Sequence, residues 1–460
     1  MRVIQPYDGE LIAEIPVHTA SAIETKLRDA AQTFSNRGNW LPAYQRFEIL
    51  KRLARLVEGD RELLALLIAR EGGKPITDAK VEITRAINGI EGAAAHIEHM
   101  VGTEIPMGLT PASANRWAFT TKEPIGPVVA ISAFNHPLNL IVHQVVPAIA
   151  TGCPVLIKPA PATPLTCLHF VNLVHQAGLP EPWCQAVILD NHALAQKLAT
   201  DPRAAFFSFI GSAKVGWYLR TQLAPGTRFA LEHGGAAPVI GDRSADVDAI
   251  IEPLAKGGYY HAGQVCVSVQ RIFVHNDLKA AFIDRFSDRV LQLVVSDPRL
   301  TETEVGPLIA PREVNRVEKW VEEAIAEGAT ITVGGQRLGD RCYQPTVLVE
   351  PSPASLVSTS EIFGPVTCIY GFTDLSEAIA RANSLPFAFQ ASVFSREIDA
   401  ALRTAKLLAA SAVMVNDHSA FRTDWMPFAG RKQSGFGIGG IPYTMSEMLQ
   451  DKMIVLKHTA

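Results

Sequence analysis

Between residues 21 and 70 apolar side chains recur every three or four positions with charges between them, in IETKLRDAAQTF and again in RFEILKRLARLVEGDRELLALLIAREGGK. That spacing keeps one stripe of a helix apolar, and it predicts surface helices with one buried face, stopped by the Gly pair at 72–73. From residue 117 the pattern changes. Short apolar runs bounded by Gly and Pro (PVVAIS at 127–132, PVLIKP at 154–159, AVILD at 186–190, APVIG at 237–241) alternate with helical stretches, which predicts parallel strands joined by crossover helices. A second alternating block runs from about 246 to 415, with strand candidates RIFVH (271–275), VLVE (347–350), TCIYGF (367–372) and SAVMVN (411–416). Two α/β domains follow, with no repeat or low-complexity linker between them.

A chain of 460 residues has room for both, since it is about three times the usual length of one domain. Its 42 Lys and Arg against 46 Asp and Glu leave a net charge of −4 with no run of one sign, so a nucleic-acid partner is not expected. The opening MRVIQPYDGELIAEI carries turn residues and acids where an export signal would be apolar, and no stretch approaches the roughly 20 apolar residues that cross a bilayer. Neither export nor a membrane is expected. The 48% hydrophobic content suits a large core or a subunit interface. Six cysteines (153, 167, 184, 266, 342, 368) form no C-x-x-C pair and have no close His partner, which argues against a zinc site or a disulfide framework and for a reducing cytoplasm.

Candidate chemistry starts at GQVCVSVQR (263–271), where a single Cys follows a Gly-containing turn and precedes a strand. Taken alone, such a Cys is most simply a buried structural thiol. LEHGG (231–235) adds a Glu followed by two glycines that let other groups come close to the backbone. SGFGIGG (434–440) has the glycines of a dinucleotide fingerprint, but it follows no clear strand and opens no βαβ unit, so it reads as a loop.

Seven segments together carry more. SAFNHPLNL (132–140), LIKPAPATP (156–164), FIGSAKVG (209–216), LEHGG (231–235), GQVC (263–266), EIFGPV (361–366) and PFAGRKQSGFG (427–437) resemble, in this order, the signature segments of the aldehyde dehydrogenase superfamily. The likeness spans nearly the whole chain. NDHSAFRTDWMPFAGRKQSGFGIGGIPYTMSEM is similar to a subgroup acting on short polar or anionic aldehydes, the lactaldehyde and phosphonoacetaldehyde dehydrogenases among them. The resemblance implies an α/β fold with a doubly wound NAD(P)-binding domain (1–107 and 127–234), an α/β catalytic domain (235–440) and a small oligomerisation element (108–126 and 441–460). The apolar β-formers of DKMIVLKH make a poor exposed edge, so a homodimer or homotetramer is expected.

The implied chemistry needs a nucleophile that adds to the aldehyde carbon, so that the tetrahedral adduct can give up a hydride to a nicotinamide. The resemblance puts Cys266 in that role, Glu232 as the base that activates water against the resulting thioester, and the Asn135 amide with the Cys266 N–H as oxyanion donors. Asn135 also suits a plain turn. NAD or NADP, with NAD the first choice, would be held by Lys158 at the ribose and by Gly211 and Ser212 at a helix N-terminus facing the pyrophosphate. Glu361 and Phe363 would hold the nicotinamide ribose and ring, with Phe134 and Pro159 shaping the cleft; no metal is implied. Asn139 and His143 should follow Asn135 down a helix at i, i+4, i+8 and line a polar substrate tunnel, and Arg422 or Arg116 should meet a substrate anion.

Three departures stand out. Pro161 occupies a place where many NAD-preferring relatives carry a Glu, which leaves NADP open; DNHAL after AVILD lacks the familiar Gly-rich turn; and His233 replaces an apolar residue, with the core its expected place. A CoA-acylating relative generally lacks the Glu, so Glu232 argues for hydrolysis, and the presence of Cys266, Glu232 and Asn135 together argues against a non-catalytic role.

Overall fold

The computed structural model describes residues 1–459; Ala460, the last residue of the 441–460 element, lies outside the described residues. The helical periodicity near the start becomes Ala20–Ser35, Ala43–Gly59 and Arg61–Gly72, which bury Ile23, Leu27 and Ala30, then Ile49, Leu50 and Leu53, then Leu64, Ala65 and Ile68. Gly73 closes the third helix in the left-handed region (φ 70°), and a Cβ there would also strike the Pro307 ring at 2.8 Å.

Two open sheets follow. The first has six strands in the order Gly435–Phe436, Arg228–Glu232, Phe206–Ile210, Val128–Ile131, Val155–Lys158, Cys184–Ala186, parallel except for the Gly435–Phe436 edge. The second has seven, ordered Thr330–Val333, Thr346–Val349, Val366–Phe372, Val269–His275, Ala237–Gly241, Gln390–Phe394, Ala412–Val415, with only the Thr330–Val333 edge antiparallel. Both are covered on two faces, which is why their central strands read as unbroken apolar runs. Ala237–Gly241, which continues the first run of strands along the chain, sits in the middle of the second sheet.

AVILD is a strand only at its start. Val187 still donates to the Ile157 carbonyl (2.8 Å), but the Ile188 amide and carbonyl are taken by His18 (3.0 and 2.9 Å), so the N-terminal segment ends the ladder there. SGFGIGG opens no βαβ unit; its Gly435–Phe436 pairs with the edge strand that ends at Glu232. A separate three-stranded sheet joins Leu449–Lys457, Arg116–Pro124 and Glu104–Ile105. Among the described residues no helix is long and apolar enough to cross a membrane.

Candidate active site

In the first sheet the chain starts at Val128–Ile131, moves outward one way, then crosses to Phe206–Ile210 on the other side. Helices leaving to opposite sides at that switch point open a crevice beyond the carboxyl ends of the strands. A cleft of about 510 Å³ lies there. Its walls include Phe134 and Asn135 after the first strand, Lys158 and Pro161 after the second, Gly211 and Ser212 after Ile210, and Glu232 with His233 at the end of the fifth; the facing half adds Cys266, Glu361, Phe363 and Arg422. Residues far apart in the chain thus share one enclosure.

Cys266 is aimed there by a turn in which His261, Ala262 and Gly263 all have positive φ (49°, 54° and 68°). A Cβ on Gly263 would collide with the Gly364 carbonyl, so glycine is required at that point. Val265, Val267, Phe389 and Phe428 form a small apolar cluster under the thiol. Cys266 is half-buried, while the other five cysteines are buried, and all six are free thiols. Burial, then the nearby Glu232 charge, push its thiol well above the ordinary range, with Arg422 opposing. Burial likewise raises the Glu232 carboxyl, and Arg422 again opposes. Asn135 Nδ2 donates to the Gln264 carbonyl at 3.0 Å, which ties its loop to the one carrying Cys266.

On the other side of the cleft, Lys158 ends its strand, donates to the Pro159 carbonyl (3.0 Å) and has its amine pulled down to about 8 by burial. Ser212 stands at the N-cap of helix Ala213–Arg220, yet its hydroxyl makes no capping bond. Burial lifts the Glu361 carboxyl to about 8, and its buried Oε1 has no partner among the described residues. The second glycine pattern of LEHGG finds its reason here: a Cβ on Gly234 would occupy the place of the Glu361 carboxylate. Phe134 and Phe363 meet edge to face across the cleft, centroids 5.9 Å apart. His233, expected in the core, is buried and also forms part of the cleft wall. It is 2% exposed, bonded through Nδ1 to the Gly211 carbonyl (2.8 Å) and set edge-on to Phe209 and Trp217.

The substrate candidates fare differently from the sequence expectation. Helix Asn139–Thr151 begins four residues after Asn135, so Asn135 lies in the preceding loop rather than on one helical face with the other two. Asn139 lines the cleft but commits its amide to Asp424 (3.0 Å), and His143 does not line it. His143 stands one layer behind, donating from Nε2 to Asp424 (2.8 Å) and accepting at Nδ1 from Arg422 (3.4 Å); burial, then Arg422, lower it to about 4, which keeps it neutral. Arg116 is on the small sheet, bonded to the Ala112 and Ala114 carbonyls, away from the cleft. Arg422 reaches it. Its guanidinium carbon lies 3.5 Å above the Phe428 ring, its Nε is buried without a partner, and no carboxylate salt-bridges it among the described residues.

Asp424 is the anchor behind this arrangement and was not signalled by the motifs. It also pairs with Arg85 (2.9 Å), another wall residue, which comes from helix Ile76–His96. Arg85 sits in an ordinary amphipathic stretch, and nothing local distinguishes it from a surface cation. Tyr260 and Trp320 complete the walls.

The model of the aldehyde dehydrogenase family matches residues 1–454. The chain belongs to that family. The dehydrogenase is 35% identical over 456 residues to 3-sulfolactaldehyde dehydrogenase of Priestia aryabhattai, covering 99% of this chain and 94% of that protein. Among solved structures it is similar to glyceraldehyde-3-phosphate dehydrogenase GapN from Methanocaldococcus jannaschii complexed with NADP (TM-score 0.95, 34% identity, 100% and 99% of the two chains covered). It is equally similar in fold to aldehyde dehydrogenase 21 from Physcomitrella patens in complex with the reaction product succinate (TM-score 0.95, 31% identity, 99% and 95% covered). It is an NAD(P)-dependent aldehyde dehydrogenase of the doubly wound α/β architecture.

Proposed function

We propose that this dehydrogenase oxidises a short aldehyde carrying a second, anionic group to its carboxylate, through a thioester on Cys266 that water hydrolyses. The reading is carried by the meeting of Cys266, Glu232, Asn135 and Arg422 in one cleft, where Arg422 has no carboxylate partner among the described residues. A desolvated guanidinium with no carboxylate in salt-bridge contact is costly, and a substrate carboxylate, phosphate or sulfonate would complete it with paired hydrogen bonds. Sulfolactaldehyde and glyceraldehyde 3-phosphate, in the names of two similar dehydrogenases, and succinate, the product bound to a third, carry such a group.

Cys266 Sγ gives up its proton to water and adds to the aldehyde carbon, and the oxyanion accepts hydrogen bonds from Asn135 Nδ2 and the Cys266 N–H. Lys158, the Gly211–Ser212 turn and Glu361 would hold NAD or NADP, which when bound would supply the hydride acceptor; the unpartnered Glu361 Oε1 suits a ribose hydroxyl. Glu232 then takes a proton from water as its oxygen attacks the thioester carbon, the C–S bond breaks, and the thiol is regenerated. One aldehyde, one oxidised coenzyme and one water give one carboxylate, one reduced coenzyme and two protons. Pro161 places no carboxylate beside Lys158 to repel a 2′-phosphate, which leaves NADP open beside NAD. Six free thiols suit a reducing, cytoplasmic setting.

Arg422→Met is expected to lower kcat/KM for succinate semialdehyde and phosphonoacetaldehyde by about 30- to 200-fold, the loss of roughly 2–3 kcal/mol of buried ionic contact, while that for propanal falls by no more than about threefold. Equal losses for all three aldehydes would remove Arg422 from substrate recognition.

The same reading extends to the small sheet. Its outer strand Leu449–Lys457 is an edge with exposed Met453, Ile454, Val455 and Leu456, and Trp117 beside it is 70% exposed. A second copy of the chain covering this surface would remove both liabilities. Sedimentation at micromolar protein is expected to give a dimer or tetramer; a monomer would contradict it.

A further inference from the structure

Besides helix Ala213–Arg220, two helices start beside the cleft without a cap of their own. Helix Asn139–Thr151 follows the Asn135 loop, and its N-cap, Leu138, offers no side-chain acceptor; helix Pro164–Gln176 follows the Pro159–Thr163 loop, and Thr163 makes no capping bond. The orphan N–H groups of each first turn still need acceptors. They find them in two buried carboxylates from one helical hairpin. Glu82 Oε1 accepts from the Leu138 and Asn139 amides, both at 2.9 Å, and the two oxygens of Glu71 accept from Leu165 and Thr166, both at 2.8 Å.

The hairpin runs Glu71-Gly72-Gly73-Lys74-Pro75 into helix Ile76–His96, and its turn sits between the two loops: a Cβ on Gly72 would lie 3.6 Å from Thr163 and 3.8 Å from the Phe134 carbonyl. Glu82 is balanced by the fully buried Lys74, whose ammonium also donates to His136 Nδ1 (2.8 Å), the residue next to Asn135. Glu71 has no cation beside it. Burial lifts its carboxyl to about 7, and the capped amides and the helix dipole are what favour its charge. Neither carboxylate lines the cleft, so neither touches substrate or coenzyme.

We infer that Glu71 and Glu82 are positioning residues that divide the cleft between them: Glu82 with Lys74 sets the Asn135 loop for the aldehyde chemistry, and Glu71 sets the Pro159–Thr163 loop for the coenzyme. The local sequence leaves both helix starts uncapped, and the two helices joined at Gly73 supply one cap each. This rests on the proposed assignment of the two sides of the cleft.

The test compares Glu82→Gln and Glu71→Gln in the full chain, measuring the coenzyme dissociation constant by fluorescence titration and the pre-steady-state burst of reduced coenzyme at saturating coenzyme. Gln keeps the size and one acceptor oxygen. Misplacing a catalytic group by about 1 Å can cost up to ~100-fold in rate, so Glu82→Gln is expected to slow the burst by about tenfold or more with coenzyme affinity within about twofold. Glu71→Gln is expected to weaken coenzyme binding by about tenfold with the burst rate at saturation within about twofold. Both quantities moving together in each variant, as general loosening would give, or neither moving in either, would overturn the inference. Amide exchange on the unaltered protein is an independent check needing no variant: Leu138, Asn139, Leu165 and Thr166 should exchange slowly, and fast exchange at these four would also overturn it. Failure of the underlying reading looks different, because the unaltered protein itself would then show no burst with any aldehyde.

Discussion

Cys266→Ala is expected to lower aldehyde-dependent reduction of NAD and NADP by roughly 10⁴-fold or more, as losses of single nucleophiles do, while coenzyme affinity stays within about twofold. The measurement is absorbance of the reduced nicotinamide with both coenzymes against polar, anionic and alkyl aldehydes. The size of the effect follows from the reaction, since without the sulfur there is no tetrahedral adduct from which a hydride can leave. The thiol is pushed up by burial and by Glu232, so it is protonated at neutral pH and the burst of the unaltered enzyme should accelerate as pH rises. A variant that keeps even a tenth of the activity would place the nucleophile elsewhere.

Glu232→Gln separates the two halves of the reaction. It is expected to release about one equivalent of reduced coenzyme per site and then stall, with steady-state turnover down by roughly 10²- to 10⁴-fold, the usual worth of a general base. Removing the carboxylate also removes one of the causes that raise the Cys266 thiol, so the pH profile of the burst should move to lower pH. Mass spectrometry of the stalled protein would find the acyl group on Cys266. Unchanged steady-state turnover would exclude Glu232 as the base and bring forward transfer of the acyl group to CoA, which added CoA would then accelerate.

Much of this was legible before folding, for particular reasons. The strands Val155–Lys158, Phe206–Ile210 and Val269–His275 stand out because a strand buried on both faces must be apolar throughout, and a run of that kind is visible in one dimension. Cys266 and Glu232 stand out because each belongs to a segment whose glycines are needed for close approach, as Gly234 is for Glu361 and Gly263 for Gly364, and Lys158 because it ends an apolar strand in LIKPAPATP. AVILD was misjudged for the converse reason: its residues are apolar enough for a strand, but His18, 170 positions away, takes the hydrogen bonds.

The substrate layer shows the limit more sharply. The spacing of Asn135, Asn139 and His143 suggested one helical face, yet the helix begins only at Asn139, because Glu82 caps it there from another element. Arg116 and Arg422 are equivalent as letters. Arg116 lands on an outer sheet among carbonyls, whereas Arg422 is laid on Phe428 and bonded to a neutral His143, while the Asp424 carboxylate behind it is already shared by Arg85, Asn139 and His143.

By itself, then, the sequence determined the alternating α/β architecture, the family, and the residue types the chemistry needs, because hydrophobic period and close-approach glycines are written locally along the chain. The tertiary structure alone decided that Arg422 stands in the cleft with no carboxylate salt bridge among the described residues, which polar side chains are already engaged behind it, and how Glu71 and Glu82 reach helix starts far along the chain. Those are matters of partnership, and a buried charge or amide takes its character from the partners folding brings to it.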